Sequence, residues 1–469
     1  MALKAPARLA RARARAFWVH VRHDHLVKNA FFIALSNASM GALGFLFWIL
    51  AARLFRPSEV GLATTLVSGA ILIAYASQLG FNSTFVRYLP ISTEPDAEIS
   101  TGLVLVFLSA LLIGAIYVLV VPSSVPQLRF LHRNPVEAVL MVVFVAFGAV
   151  NLVTDAVFIA YRSAFYNFVV DGVLQSLIRL GAPVLLVGLG AFGLFTAFGV
   201  AGMAAVTASV VLMVVKFSYR PRPVISMRVV RRVFRFGSAN YLAALLTMVP
   251  ILLLPIIVVR DAGAAAGGYF YLALQVANLL FNASLAACQS LFAEGSNQAG
   301  TLRHLAARSA RIQGYLLLPL AVVMALAGHW ILIVFGRSYA SHGTLTLAVL
   351  AASTPAVILN YWTSTLLRIR HQLAVLVLSN VVLAVLTCGL AAWWIGRGIA
   401  WVALAWLIGN LASGVVGGLP LLRPAPPARA AGEGGPDPVT TRPGAVRSVV
   451  TAGGWSGSET TAPVTAVGP

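Results

Sequence analysis

Apolar residues in this chain neither alternate with polar ones nor fall on a single helical face. They run on for about 20 residues at a time and are broken by short clusters of Pro, Gly and Arg. A helix of about 20 mostly apolar residues crosses the hydrocarbon core of a bilayer, so each run can be tested against that length. Twelve runs pass: 29–52, 61–80, 101–121, 138–160, 172–189 and 193–215, then 240–259, 267–293, 313–335, 344–367, 373–395 and 399–421. The pattern predicts an all-α integral membrane protein with 12 transmembrane helices. Composition agrees, since 59% of the 469 residues are hydrophobic and only 10% are charged.

The net charge of +20 changes meaning once the basic residues are placed. Short cytoplasmic loops carry the Lys and Arg excess of a membrane protein. With the N-terminus inside, the cytoplasmic segments hold 25 basic residues and the outer loops seven: Arg53, Arg56, Arg129, Arg133, Arg260, Arg337 and Arg397. Arg179 alone falls inside a run. Both termini are therefore expected in the cytoplasm, and the excess reads as a topology signal and an attraction to anionic lipid. Nucleic acid is not an expected partner, because no soluble domain interleaves aromatic and basic residues.

Polar landmarks recur at a nearly constant offset. Lys28 pairs with Arg235, Arg53 with Arg260, Arg133 with Arg337, Arg162 with Arg368 and Gly190 with Gly396, each 204 to 207 residues apart. The chain reads as two six-helix halves, and because six is even they are parallel repeats about an axis along the membrane normal, around a central cavity. The expected organisation is a basic arm over 1–27, lobes over 28–217 and 239–421, a cytoplasmic amphipathic linker over 218–238, and a disordered tail over 422–469. In the linker Arg228, Arg231, Arg232 and Arg235 follow helical spacing opposite Val229, Val230, Val233 and Phe234, the pattern of a helix resting on a lipid surface. The tail is rich in Pro, Gly, Ala and Thr, without hydrophobic period.

Candidate chemistry is sparse. Cys288 and Cys388 lie in apolar runs as packing residues, with no disulfide, zinc or thiol-nucleophile pattern. No phosphate-binding Gly loop, HExxH, GxSxG or paired catalytic carboxylates occur, so neither an enzyme nor an ATP-driven pump is expected, and no cofactor or metal. The Asn-x-Ser/Thr triplets at Asn37, Asn82 and Asn282 fall in spans or a cytoplasmic loop and read as chance. A charge deep in a span costs on the order of 2.5–3.5 kcal/mol and calls for a partner or a purpose. Asp155, with Asn151 one turn before it, and Arg179, with Gln175 one turn before it, meet that criterion in the cytoplasmic half of adjacent spans. They could pin the two helices as an ion pair or receive an anionic headgroup. In the eighth run Tyr271, Gln275, Asn278, Asn282 and Gln289 share a sector of about 60° at about 100° per residue, an uncharged polar stripe expected to face the bundle interior. Asn37, Thr64 with Ser68, and Asn360 with Thr363 and Ser364 are weaker versions, expected to be packing positions.

The stretch NAFFIALSNASMGALGFLFWILAARLFRPSEVGLATTLVSGAILIAYASQLGFNSTFVRYLP resembles the opening of bacterial polysaccharide biosynthesis flippases of the multidrug, oligosaccharidyl-lipid and polysaccharide exporter superfamily. GYFYLALQVANLLFNASLAACQSLFAEGS and FGRSYASHGTLTLAVLAASTPAVILNYWTSTLLRIRHQ are similar to its second half. The resemblance implies two lobes around a cavity, alternating access, and a lipid-linked oligosaccharide moved between leaflets of the plasma membrane, with glycosyltransferases or a polymerase of the same pathway as partners. It also implies cavity Arg residues for the lipid diphosphate, which by position would be Arg179 and Arg53. With one mid-span Arg, the chain departs from lipid II flippases. Two other classes remain: a cation-coupled multidrug antiporter, which needs deep carboxylates in both halves where only Asp155 is read as deep, and a membrane glycan polymerase or ligase, which needs a large catalytic outer loop.

Overall fold

The computed structural model describes residues 25–222, 225–297, 302–370 and 372–422. Most of the expected basic arm, and nearly all of the expected tail, lie outside the described residues. Among those described there are helices and turns and no strand. The long helices are α1 (His25–Leu54), α2 (Pro57–Ala76), α3 (Pro95–Ser124), α4 (Pro135–Ala160), α5 (Phe165–Leu185) and α6 (Gly190–Phe217), followed by α7 (Met227–Ala262), α8 (Ala264–Asn297), α9 (Leu302–Leu326), α10 (Arg337–Ala352 and Thr354–Ile369), α11 (Leu373–Trp394) and α12 (Ile399–Gly418). Among the described residues eleven are long and apolar enough to cross a membrane as single helices, and the bent pair in α10, taken as one broken span, makes up to twelve. The protein is a multi-pass membrane protein, and each of the twelve apolar runs overlaps one of these helices, although 61–80, 172–189 and 313–335 extend past the ends of α2, α5 and α9.

Local chemistry explains the breaks. Pro57, Pro95 and Pro135 stand in the first turns of α2, α3 and α4, where a missing N–H leaves no bond unmade. Asn134 caps α4, its side chain accepting from the Val136 N–H at 3.2 Å. Gly263 alone joins α7 to α8 at φ +91°, a conformation that an L side chain resists. The run over 344–367, read as one span, is bent by 43° between Ala352 and Thr354. Pro355 cannot donate into the turn before it, and the Ser353 and Thr354 hydroxyls donate instead to the Leu350 and Ala351 carbonyls.

The same helix pairings recur in the two halves: α1 on α5 and α7 on α11, α4 on α6 and α10 on α12, α2 on α4 and α8 on α10. Pro57 opens α2 and Ala264 opens α8, 207 residues apart; Pro95 and Leu302 open α3 and α9 at the same separation. The halves meet where α2 packs on α7 and α8. Of the α2 apolar window 61% is buried, against 22% for α3 and for α9, so α2 is central and the other two are peripheral.

Because the crossings alternate, one face of the bundle holds the start of α1 and the end of α12; the other is called here the far face. At the far face the seam is tight. A Cβ on Gly61 would overlap the Ala264 carbonyl, and one on Gly268 would overlap that of Pro57, so backbones touch where α2 and α8 begin. At the terminal face the valine side of the linker packs against protein. Val229 and Val233 are buried with Phe81, Phe85, Leu89 and Ile99, and the Arg232 guanidinium donates to Glu98 of α3 at 2.7 Å. A valine face suits a lipid surface and an apolar protein groove equally, so the sequence pattern alone does not separate the two.

Candidate functional site

Within the first half, α2, α4, α5 and α6 enclose a cavity of about 290 Å³ whose lining includes Asn151, Asp155, Gln175, Arg179 and Phe198. Asp155 and Arg179 therefore share one chamber, as helical spacing on adjacent spans predicts. Neither of the two ion pairs among the described residues joins them. The Arg179 guanidinium carbon stands 4.3 Å from the ring centre of Phe198, and its Nε is buried without a hydrogen bond. Asp155 Oδ1 is likewise buried and unpartnered. Both groups reach the cavity with bonding capacity left over, the condition in which a polar ligand is most strongly held.

Sequence reasoning missed Asp171. It is 3% exposed, accepts from the Asn151 amide at 3.0 Å, and lies within electrostatic range of the Asp155 carboxyl. The fifth apolar run begins at residue 172, whereas the span begins at Phe165, so Asp171 lies inside the span. The reading of Asp155 as the one deep carboxylate is corrected accordingly. From Phe168 to Gln175 the backbone winds as a π-helix, with the Ser176 hydroxyl donating to the Asp171 carbonyl at 2.8 Å. Such widened turns are uncommon and often occur at functional positions. Here the widened turn carries Asp171 and Gln175, both buried, opposite Asn151.

The polar stripe of α8 divides. Gln275 donates to the Tyr271 hydroxyl at 2.9 Å and Asn278 donates to Gln275 Oε1 at 3.1 Å, forming a half-buried ladder. Asn282 and Gln289 are exposed. Tyr271 meets Trp48 edge to face with ring centres 4.8 Å apart, and Trp48 lies 5.9 Å from Phe198. Through these rings the ladder of the second half reaches the ring that Arg179 faces, and Tyr271 is within electrostatic range of Arg179. The structure thus places Asp155 and Arg179 on one cavity and connects the Gln275 and Asn278 ladder to it through Tyr271, Trp48 and Phe198.

Arg53 is elsewhere. It ends α1 at the far face, and its Nε and a terminal nitrogen donate to the Val334 and Ile333 carbonyls of the second half at 2.9 and 3.1 Å. Those carbonyls end the short helix Gly328–Ile333, where unsatisfied acceptors and the helix dipole favour a cation. The weaker polar sets are structural in geometry. Thr64 donates to the Gly61 carbonyl, Asn360 donates to Asn410 Oδ1 at 3.0 Å, and Ser413 donates to the Ser379 carbonyl at 2.8 Å.

Structural neighbours are transporters. An inward-facing multidrug-resistance MATE transporter of the MOP superfamily is 17% identical, with a TM-score of 0.62 over 81% of this chain and 93% of that chain. The lipid II flippase MurJ in an inward closed conformation is 10% identical, with a TM-score of 0.68 over 84% and 88%. A MOP superfamily transporter from Pyrococcus furiosus is 15% identical, with a TM-score of 0.56 over 86% and 96%. At these identities the likeness establishes a shared fold. Among curated proteins no sequence match is found. Residues 49–344, more than half of the chain, match the sequence profile of a family described as polysaccharide biosynthesis protein. The chain therefore belongs to the polysaccharide biosynthesis protein family and carries the fold of MOP superfamily transporters.

Proposed function

We propose that the protein moves a lipid-linked oligosaccharide across the plasma membrane for cell-surface polysaccharide synthesis, by alternating access between its two halves and without a chemical step of its own. The observation that carries this reading is the asymmetry of the seam. It is shut at the far face by Gly61 against Ala264, Gly268 against Pro57 and Arg53 against Val334, and it holds a cavity at the terminal face. With 25 basic residues assigned to the terminal side against seven, that face is the cytoplasmic one, so the arrangement is an inward-accessible state. In this reading residues 28–217 and 239–421 are the two moving lobes and 218–238 the cytoplasmic linker between them.

Arg179, held over Phe198 and not paired with Asp155, would hold phosphoryl charge in the first-half chamber, while Gln275, Asn278 and Asn282 face sugar hydroxyls. Arg53 serves the far-face closure rather than the first contact with substrate. Rocking of the halves then exposes the headgroup outside. A potential negative inside favours this by about 2.3 kcal/mol per negative charge per 100 mV. Enzymes that build or polymerise the glycan are the natural partners. The experiment is depletion in the native cell: lipid-linked oligosaccharide should accumulate on the inner leaflet while surface glycan falls, and unchanged surface glycan contradicts the reading.

One observation favours a second reading. A second buried carboxyl, Asp171, lies within electrostatic range of the Asp155 that lines the chamber, as cation-coupled export of drug-like cations would use. Increased sensitivity to cationic drugs on depletion, with glycan unaffected, would select it.

A further inference from the structure

A second cavity, of about 440 Å³, opens on the seam at the terminal face. Tyr75, Gln78, Asn82 and Ser83, at the end of α2 and the turn after it, line one side; Tyr241 of α7 and Arg368 of α10 line the other. Arg368 is the one charged residue in this lining, and no carboxylate opposes it. Neither ion pair among the described residues engages it. Gln78 is only 4% exposed, yet its amide nitrogen is buried without a hydrogen bond. A buried donor without an acceptor is costly and calls for an explanation. The Tyr241 hydroxyl already donates to the Ala76 carbonyl, which ties α7 to α2. Ala244, Leu245 and Phe292 complete an apolar wall that lowers the local dielectric and strengthens any charge pairing within.

A guanidinium, a stranded amide donor and hydroxyls, with no acid in the lining, make a site for an oxyanion, and Arg matches phosphoryl oxygens bidentately. We propose that this seam cavity captures the phosphoryl group of a lipid-borne substrate at the inner leaflet, with Arg368 as its charge partner and Gln78 as a second donor. The inference deepens the transport reading and rests on it. It places first contact at α10 and the α2 turn, ahead of the Arg179 chamber. Tyr75 lines both cavities, so a captured headgroup would lie against a side chain that also borders the chamber of Asp155 and Arg179.

The test uses the full-length protein in phosphatidylcholine nanodiscs, with a fluorescent polyprenyl diphosphate as probe. Wild type should bind it. Arg368→Ala should weaken binding roughly 10- to 100-fold, the range of one charge-assisted pair. Arg368→Lys should recover part of the loss, and Arg308→Ala, which removes a charge at the same face outside this cavity, should have no effect. Gln78→Met, which keeps the length and removes the donor, should weaken binding less than Arg368→Ala. Monodisperse elution and an unchanged melting temperature qualify each variant, and Arg368→Gln replaces Arg368→Ala where the latter fails. Wild-type affinity in a folded Arg368 variant, or no binding by wild type, overturns the proposal. So does displacement of the probe by phosphatidylglycerol or inorganic pyrophosphate as effective as by unlabelled polyprenyl diphosphate, since the site would then take any phospholipid or a soluble anion. If binding depends on Arg368 but proteoliposomes move no substrate, the transport reading fails while the site stands.

Discussion

The guanidinium carbon of Arg179 on α5 lies 4.3 Å from the ring centre of Phe198 on α6, and not against the carboxylate of Asp155 in the same cavity. A ring holds a cation by about 0.5–2 kcal/mol without consuming its hydrogen-bond donors. The arrangement keeps charge in the membrane at a tolerable level while leaving the donors for a ligand. Were Asp155 the partner, substrate would first have to displace a buried ion pair, a much stronger competitor.

Arg179→Ala should therefore reduce glycan export more than it reduces protein abundance, and Arg179→Lys should recover only part, because charge survives but the planar fork does not. Phe198→Leu should weaken export less than Arg179→Ala. Export measured against membrane-fraction abundance checks this. Should Asp155→Ala and Arg179→Ala each abolish folding while the double variant restores folding and export, the two residues form a structural ion pair in another state of the protein.

The Asn151 amide donates to Asp171 at 3.0 Å inside the bundle. Asn151→Leu leaves that carboxyl short of a donor and should destabilise the protein by about 1–3 kcal/mol. Asp171→Asn keeps the size and a carbonyl acceptor, and should retain most of the stability. Thermal unfolding in detergent distinguishes the two.

At the far face, Gly61→Ala sets a methyl against the Ala264 backbone, which cannot swing aside as a side chain can. Arg53→Ala removes two donors from helix-end carbonyls. Each change should loosen the seam, seen as faster labelling of an Ala265→Cys reporter by an impermeant thiol reagent. Labelling no faster than in the parent would remove both contacts from the closure.

Orientation has its own check. A cysteine at Ser218, between α6 and α7, should resist an impermeant reagent added outside intact cells and react after permeabilisation.

The positions of the spans were legible in the sequence because each depends only on a run of apolar residues long enough for the bilayer. Asp155, Arg179 and the Tyr271 to Asn278 ladder were legible because polarity inside such a run stands out. Asp171 was not, since a carboxylate at the edge of a run looks the same whether it ends a span or lies within one. The bend at Ser353 was carried by Pro355 but masked by the length of the run. The shut seam at Gly61 and Gly268, the engagement of Arg53 with Val334, and the meeting of Gln78 with Arg368 join residues some 200 to 290 positions apart, and no local pattern encodes them.

The most direct test of transport is reconstitution of the purified protein in proteoliposomes with a fluorescent lipid-linked oligosaccharide, following its appearance in the opposite leaflet with a membrane-impermeant quencher. The account predicts protein-dependent translocation that falls when Asn278 and Asn282 are changed to Leu and is nearly lost in Arg179→Ala. Translocation no faster than in protein-free liposomes would contradict it.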